Sequence, residues 1–440
     1  MTPVRESLRL AWPLILANIS VPLLGMVDTG IVGHMGNPIF LGAVALGSVL
    51  ISVISFVFGF LRMSLTGLTA QATGAGNHDE IRAGLIRFLA IGFVMGVTIA
   101  ALRLPIASLA SYGYQPPVEI IQPFETYVTI RLLATPATIM NMVVWAWLLG
   151  TQRSRGPLIL LVFINGANAA LDFIFVMGLG FGIEGVAWAS VLAEYSGLVA
   201  GYFLIRPVWR KHQTRPLSEL QLWSKKAFAR IFSINGNLFL RTLFMEIVFL
   251  SFATIGARLG ETALAVNAVM FNFFTLAAYG LDGFAFATEA MIGKAVGAAN
   301  ISKIRSGIRA GAINALALSV LLTLIFVVAT KPIIHLMTDL EMVRTAAYAY
   351  QPYVVMIPMI GVWAWLFDGI FFGATRAATL RNAMAICLVI FFVAAAILVP
   401  IWANHGLWMA MLVYLGSRGL VLAFSFRRAG YGAAFVQAAA

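Results

Sequence analysis

GAGNHDEIRAGL, residues 74–85, is matched 223 positions later by GAANISKIRSGI, residues 297–308. The same offset lays LGAVALGSV from Leu41 over LAVNAVMFN from Leu264, and GTQR from Gly150 over GATR from Gly373. Near the end of each half, GVAWA from Gly185 answers GLWMA from Gly406 at a slightly shorter offset. Self-similarity at one long period marks duplication, so the chain reads as two copies of one architecture.

Composition says what each copy is. A length of 440 residues would suggest about three soluble domains, but 61% hydrophobic residues, 10% charged residues and a mean hydropathy of +0.93 override that reading. Apolar runs of about 20 residues or more recur from Leu8 onward, each long enough to cross a bilayer as a helix. In the first half they are Leu8–Gly33, Phe40–Thr73, Gly84–Tyr112, Glu119–Gly150, Leu158–Gly180 and Gly182–Arg206. The second half offers Ala227–Leu259, Thr262–Val296, Ile304–Ala329, Val343–Gly373, Leu380–Ala403 and Gly406–Phe426. Ten-residue strands of barrel type are not visible, which leaves an all-α integral membrane protein of about twelve transmembrane helices in two six-helix bundles. MTPVRESLRLAWPLILA runs straight into apolar sequence without an A-x-A site and is read as the start of helix 1, not as a signal peptide.

The expected organisation is an N-terminal bundle over residues 1–206, a linker over 207–226 and a C-terminal bundle over 227–440. The linker lies in RPVWRKHQTRPLSELQLWSKK, the longest polar stretch. Arg82, Arg87, Arg153, Arg155, Lys294, Lys303, Arg305, Arg309, Arg376, Arg381, Arg427 and Arg428 all follow even-numbered helices, so the positive-inside rule puts these loops and both termini in the cytoplasm. This topology accounts for the net charge of +12 without a nucleic-acid partner. Six helices per copy make the repeats parallel, with a cavity expected where the bundles meet. The single cysteine, Cys387, fills core volume in this reading.

Charges inside such spans are costly and face a cavity or a partner. The acids are Asp28, Asp172, Glu194, Glu246, Asp282, Glu289 and Asp368; the bases are Arg62, Arg131, Arg241 and Arg418. For Glu194, Glu289 and the arginines, an internal ion pair that fixes packing is the competing reading. Asp172 is different: in NGANAALDFIF, Asn168 and Asp172 are four apart and share a helix face, and Ser190 on helix 6 could add a hydroxyl. Asp28 would join them only if helices 1 and 5 are neighbours. Two carboxyls in a low-dielectric cavity do not both ionise easily, so such a site can load a proton, and a sodium ion or a cationic substrate would compete with it. Pro13 and Pro22 interrupt helix 1 and are read as its hinge.

AWPLILAN…VDTGIVGHMG, NAALDFIF, the GAGN and GAAN loops and the twofold repeat resemble the multidrug and toxic compound extrusion (MATE) family over essentially the whole chain. VPLLGMVDT, LTGLTAQATGAGN and FDGIFFGATR resemble its DinF branch. The resemblance implies a V-shaped pair of bundles that exports organic cations against inward proton or sodium flow. It maps the family's N-lobe cation site onto Asp28, Asp172 and Asn168, with Ser190 where a threonine is usual, and its helix 1 proline onto Pro13. It also implies a C-lobe site, which Glu246 resembles and from which Asp368 is displaced by about one turn; Asp282 and Glu289 are further candidates there.

No Walker loop is present, and the five histidines show no metal-ligand spacing. The expected function is a secondary multidrug antiporter in the cytoplasmic membrane of a prokaryote, acting as a monomer on small organic cations. It needs no cofactor beyond H+ or Na+, the latter held at Asp28, Asn168 and Asp172. A lipid or lipid-linked sugar flippase and a membrane-embedded lipid enzyme are the alternatives.

Overall fold

The computed structural model describes residues 2–33, 37–430 and 433–437, apart from the side chains of residues 21–29 and 437. Among the described residues there is no strand. The first repeat gives α1 (Pro3–Gly33), α2 (Pro38–Gly74), α3 (His78–Ala101), α4 (Val118–Gly150), α5 (Arg155–Gly178) and α6 (Gly182–Lys211). The second gives α7 (Lys225–Arg258), α8 (Glu261–Gly297), α9 (Ile301–Met337) and α10 (Gln351–Gly373). It ends in α11 (377–402) and α12 (404–428), which run on as one 52-residue helix broken at Ala403 (φ 47, ψ −124). The twelve expected spans are therefore all helical. Two differ: the run to Tyr112 ends at Ala101 and a separate short helix, Arg103–Tyr114, follows, and the run from Val343 is divided into a short helix, Glu341–Tyr348, and α10. Pro105, which disfavours helical geometry in the residue before it, lies just beyond the first break.

The repeated loops have one geometry. After α2, Gly76 takes φ +66 while Asn77 N–H reaches the Ala72 carbonyl at 2.9 Å; after α8, Ala299 takes φ 51 while Asn300 N–H reaches Ala295 at 3.0 Å. GTQR and GATR repeat the motif, with Gln152 and Thr375 at positive φ and Arg153 and Arg376 bonding back to Leu148 and Phe371 at 2.9 Å. Each is a Schellman stop, which satisfies the last helical carbonyls. The asparagine of GAGN and GAAN then caps the next helix, Asn77 accepting from Glu80 N–H and Asn300 from Lys303 N–H, both at 2.9 Å. The similarity seen in sequence is thus a helix-stop, helix-start signal conserved between the two copies.

The chain forms two compact units, Leu16–Phe228 and Met1–Ile15 with Ala229–Ala440. The boundary falls inside α1 instead of leaving residues 1–206 together. Leu10 and Ala11 belong to the core of the second unit, and Asn314 on α9 donates to the Val4 carbonyl at 3.0 Å. That core is built on Phe273, Phe326, Phe391, Trp408 and Tyr414. The core of Leu16–Phe228 includes Val44, Phe124, Tyr127, Val128 and Val186. Close helix approach depends on glycine at a few points: a Cβ on Gly150 would lie 2.6 Å from Thr69 Cβ.

The linker is not a loose tether. Buried Arg87 donates from Nε to the Leu222 carbonyl at 2.8 Å and from Nη2 to that of Gln221 at 2.7 Å, while Arg82 donates to Arg215 at 2.6 Å and lies over the Trp209 ring. His78 and His212 meet through their Nδ1 atoms at 2.6 Å. Burial pushes the His212 imidazole below its ordinary value, with neighbouring His78 next in effect and Lys211 and Arg153 adding to it. Arg82 and Arg87, cytoplasmic-side charges by the positive-inside rule, thus also fasten the linker to α3.

Candidate functional site

The unit Leu16–Phe228 holds a polar cluster in apolar surroundings. Asn168 and Asp172 stand one turn apart on α5, and the Asn168 amide donates to Asp172 Oδ2 at 3.0 Å and to Ser190 Oγ on α6 at 3.2 Å. All three side chains are buried. Immediately after Asp172 the helix widens to a π-helix over Phe173–Gly178, a form found often at functional sites.

A second contact fixes the neighbour of α5. Asn165 Nδ2 donates to Ser20 Oγ on α1 at 3.1 Å, so helices 1 and 5 are adjacent, as a site joining Asp28 to Asp172 requires. Asp172 is seven residues beyond Asn165 and Asp28 eight beyond Ser20. Along each helix these offsets are advances of about 10 and 12 Å from that contact. The side chains of Asp28 and Pro22 lie outside the described residues. Pro13 is buried in α1, which continues through it.

Further along α6, the Asn141 amide donates to the Glu194 carbonyl at 2.8 Å and to its carboxylate at 2.9 Å. Arg62 lies over the Trp145 ring, 5.0 Å from its centroid.

In the second unit the acids are dispersed. Asp368 is clamped: Arg241 from α7 and Arg418 from α12 both donate to its Oδ2, the latter at 2.8 Å, and all three are buried. Glu246 is half-buried on α7, Asp282 half-buried and Glu289 buried on α8. Among the described residues no three His, Cys, Asp or Glu side chains are grouped to hold a metal ion. Phe271, Phe273 and Phe274 make ring contacts within the core, Phe273 against Phe326 and Phe274 against Phe249. Cys387 is a buried free thiol.

One polar knot escaped sequence reasoning. Asn267 and Asn404 exchange amide hydrogen bonds at 2.8 and 2.9 Å, and Trp408 Nε1 donates to Asn267 Oδ1 at 2.8 Å. Its only sequence signal was an asparagine inside LAVNAVMFN, a stretch otherwise read as repeat.

Among the described residues, long apolar helices in two copies, with an acid–amide–hydroxyl cluster buried in one of them, mark a multi-pass membrane protein. A family model described as MatE matches residues 13–174 and 238–416, one block in each repeat. The chain belongs to this family and is a transporter, not an enzyme. It is 39% identical to DNA damage-inducible protein F of Escherichia coli (strain K12), over 95% of this chain and 91% of that one. The probable multidrug resistance protein NorM of Thermotoga maritima is 25% identical, over 76% and 72% of the two chains. Among solved structures, a MATE protein in the bent conformation superposes with a TM-score of 0.88 at 20% identity, over 100% of this chain and 97% of that one.

Proposed function

We propose that the chain is a secondary antiporter that exports organic cations in exchange for protons, with Asp28, Asp172, Asn168 and Ser190 as the coupling site. It works in the cytoplasmic membrane with both termini inside. The observation that supports this reading is the buried Asp172–Asn168–Ser190 cluster on α5 and α6, beside an α1 that carries Asp28 and touches α5 at Ser20.

The chemistry follows from competition. A carboxyl away from bulk water binds either a proton or a cation, and two in one cavity repel when both are charged. A proton arriving from outside neutralises one carboxylate and lowers the site's affinity for a cationic substrate, and by reciprocity bound substrate disfavours the proton. The Asn168 nitrogen serves both neighbours, so its oxygen points elsewhere. A hard cation needs several oxygen ligands at once whereas a proton needs only one carboxylate oxygen, which favours the proton as coupling ion.

The test is dye efflux from reconstituted vesicles under separately imposed proton and sodium gradients, with wild type, Asp28→Asn and Asp172→Asn compared. Proton-driven efflux in wild type that both variants lose is the expected result. Near-normal efflux by either variant counts against its residue, and efflux driven by sodium alone overturns the choice of ion.

A further inference from the structure

The cluster around Asp172 does not end at Ser190. We propose that Glu194 is a second proton-holding carboxyl of the N-terminal bundle, through which the proton leaves toward the cytoplasm. The proposal rests on the proton-coupled reading above.

Position comes first. Ser190 and Glu194 are four apart on α6, on one face and about 6 Å apart along the axis. Helix α6 runs toward the linker, so Glu194 lies one turn nearer the cytoplasmic side than the hydroxyl that closes the Asp172 cluster.

The way Glu194 is held comes next. Asn141 on α4 reaches both its carbonyl and its carboxylate. That reach depends on Gly197, three residues on, where a Cβ would stand 2.8 Å from the Asn141 amide nitrogen. Arg131 and Thr138 on α4 also act on the carboxylate. Arg131 ends one segment of α4 just before a 3-10 turn, Leu132–Ala134. Pro136 cannot bond back to Leu132, so the Thr135 hydroxyl takes that carbonyl, and Tyr195 of α6 donates to the carbonyl of Leu133 at 3.2 Å.

The contrast with Asp368 separates this carboxyl from a structural ion pair. Asp368 is gripped by two guanidinium groups. Glu194 has an amide donor and a nearby positive charge, but among the described residues no ion-pair contact. A carboxyl so placed can change protonation state without breaking a buried salt bridge, whose loss is costly. Two further polar atoms beside it, Arg131 Nε and Asn141 Oδ1, are buried without a hydrogen-bond partner. One donor and one acceptor within such a site are what a bridging water satisfies.

The transfer balances as follows. The O–H bond of the Asp172 carboxyl breaks, its proton passes to water or to Ser190 as a proton of that group moves on, and an O–H bond forms on Glu194. Asp172 is left ionised for the next cation, and Glu194 releases its proton to the cytoplasmic side. Among the described side chains, the ionisable groups facing this path are Asp172 on α5, Glu194 on α6 and Arg131 on α4, to which the proposed coupling site adds Asp28 on α1.

The experiment uses the full chain in vesicles carrying a trapped pH dye, with wild type, Glu194→Gln, Glu194→Asp and Asp172→Asn. Substrate binding is measured separately in detergent. Glu194→Gln is expected to bind substrate within about twofold of wild type but to turn over roughly tenfold to hundredfold more slowly. It should also lose the dependence of rate on cytoplasmic-side pH, and Glu194→Asp should restore both rate and profile. A wild-type rate and pH profile in Glu194→Gln overturns the proposal. So does a slowed variant whose profile is unchanged and which Glu194→Asp does not rescue, since that is bracing. If wild type moves no protons, the coupling reading fails first and the relay falls with it; if Asp172→Asn abolishes proton flux while Glu194→Gln does not, the relay alone is wrong.

Discussion

Removing the carboxylate from the Arg241–Asp368–Arg418 cluster exposes what buried charge does in this protein. Asp368 is 5% exposed, Arg241 3% and Arg418 4%, so solvent screens the group very little. Asp368→Asn leaves two guanidinium groups without their shared counter-charge, and breaking a buried pair in this way costs about 3–5 kcal/mol. Arg241→Met leaves the Arg418–Asp368 pair, at 2.8 Å, intact and electrically neutral. No buried charge is then left uncompensated, so about 1 kcal/mol or less is expected there. The single cysteine supplies the assay. Cys387 is fully buried, and Asp368 and Arg418 both act on it, so a thiol-reactive dye labels the protein only when this region opens. When closing is faster than labelling, a cost of about 3–5 kcal/mol raises the labelling rate about 150- to 5,000-fold. Arg241→Met should raise it less than about tenfold. An Asp368→Asn protein that labels within about threefold of wild type would refute the reasoning, because the two arginines would then be neutralised by something other than Asp368.

Three further outcomes follow from packing and from the linker. Gly197→Leu forces a side chain against Ile164 and the Asn141 amide, the nearest atom lying 2.6 Å from the added Cβ, and should cost at least about 1–3 kcal/mol, seen as a lower melting temperature in detergent. Arg87→Ala removes the donors to Leu222 and Gln221, so limited trypsin digestion between residues 210 and 226 should speed up while the rest of the chain stays intact. Burial holds His212 below the ordinary imidazole value of about 6.5, so the folded linker binds fewer protons than the free chain. Its contribution is complete above about pH 6.5 and shrinks as pH falls through that value toward the folded pKa. Protection factors at residues 212–222, that is, exchange rates corrected for their intrinsic pH dependence, should therefore fall on acidification, and protection that stays constant with pH in this segment would disprove it.

What could be read from the sequence was what is local or repeated. The stop-and-cap loops were visible because Gly-Ala-X-Asn has to be spelled out wherever a helix ends and the next begins. Asn168 and Asp172 could be paired because four residues is one turn. The rest depended on contacts that no spacing encodes: Asn165 with Ser20 is a pairing across 145 positions, and Asp368 meets partners 127 positions before it and 50 after. The division inside α1 was hidden for a different reason. A helix shows continuous apolar sequence whichever neighbours its two ends pack against.

The duplicated frame carries unequal chemistry, and that inequality bears on coupling. The register that sets Gly150 on Gly373 sets Asn168 on Phe391 and Asp172 on Ala395; the register of Gly185 on Gly406 sets Ser190 on Met411 and Glu194 on Leu415. Phe391, Ala395, Met411 and Leu415 are all buried, so the second copy keeps the inward face and fills it with apolar side chains. At the place of Trp145, which receives Arg62 on its ring, the second copy has Asp368 between two arginines. A carboxylate held by two guanidinium groups surrenders neither its charge nor its contacts cheaply, whereas one held by amides and hydroxyls can do both. Duplication thus supplied two scaffolds of one shape, and the carboxyls proposed to couple transport stand on inward faces of the first. An exchanger of the kind proposed needs its cation and its proton to compete for the same groups, and coupling groups held in one bundle would make each proton taken up count against the same bound cation.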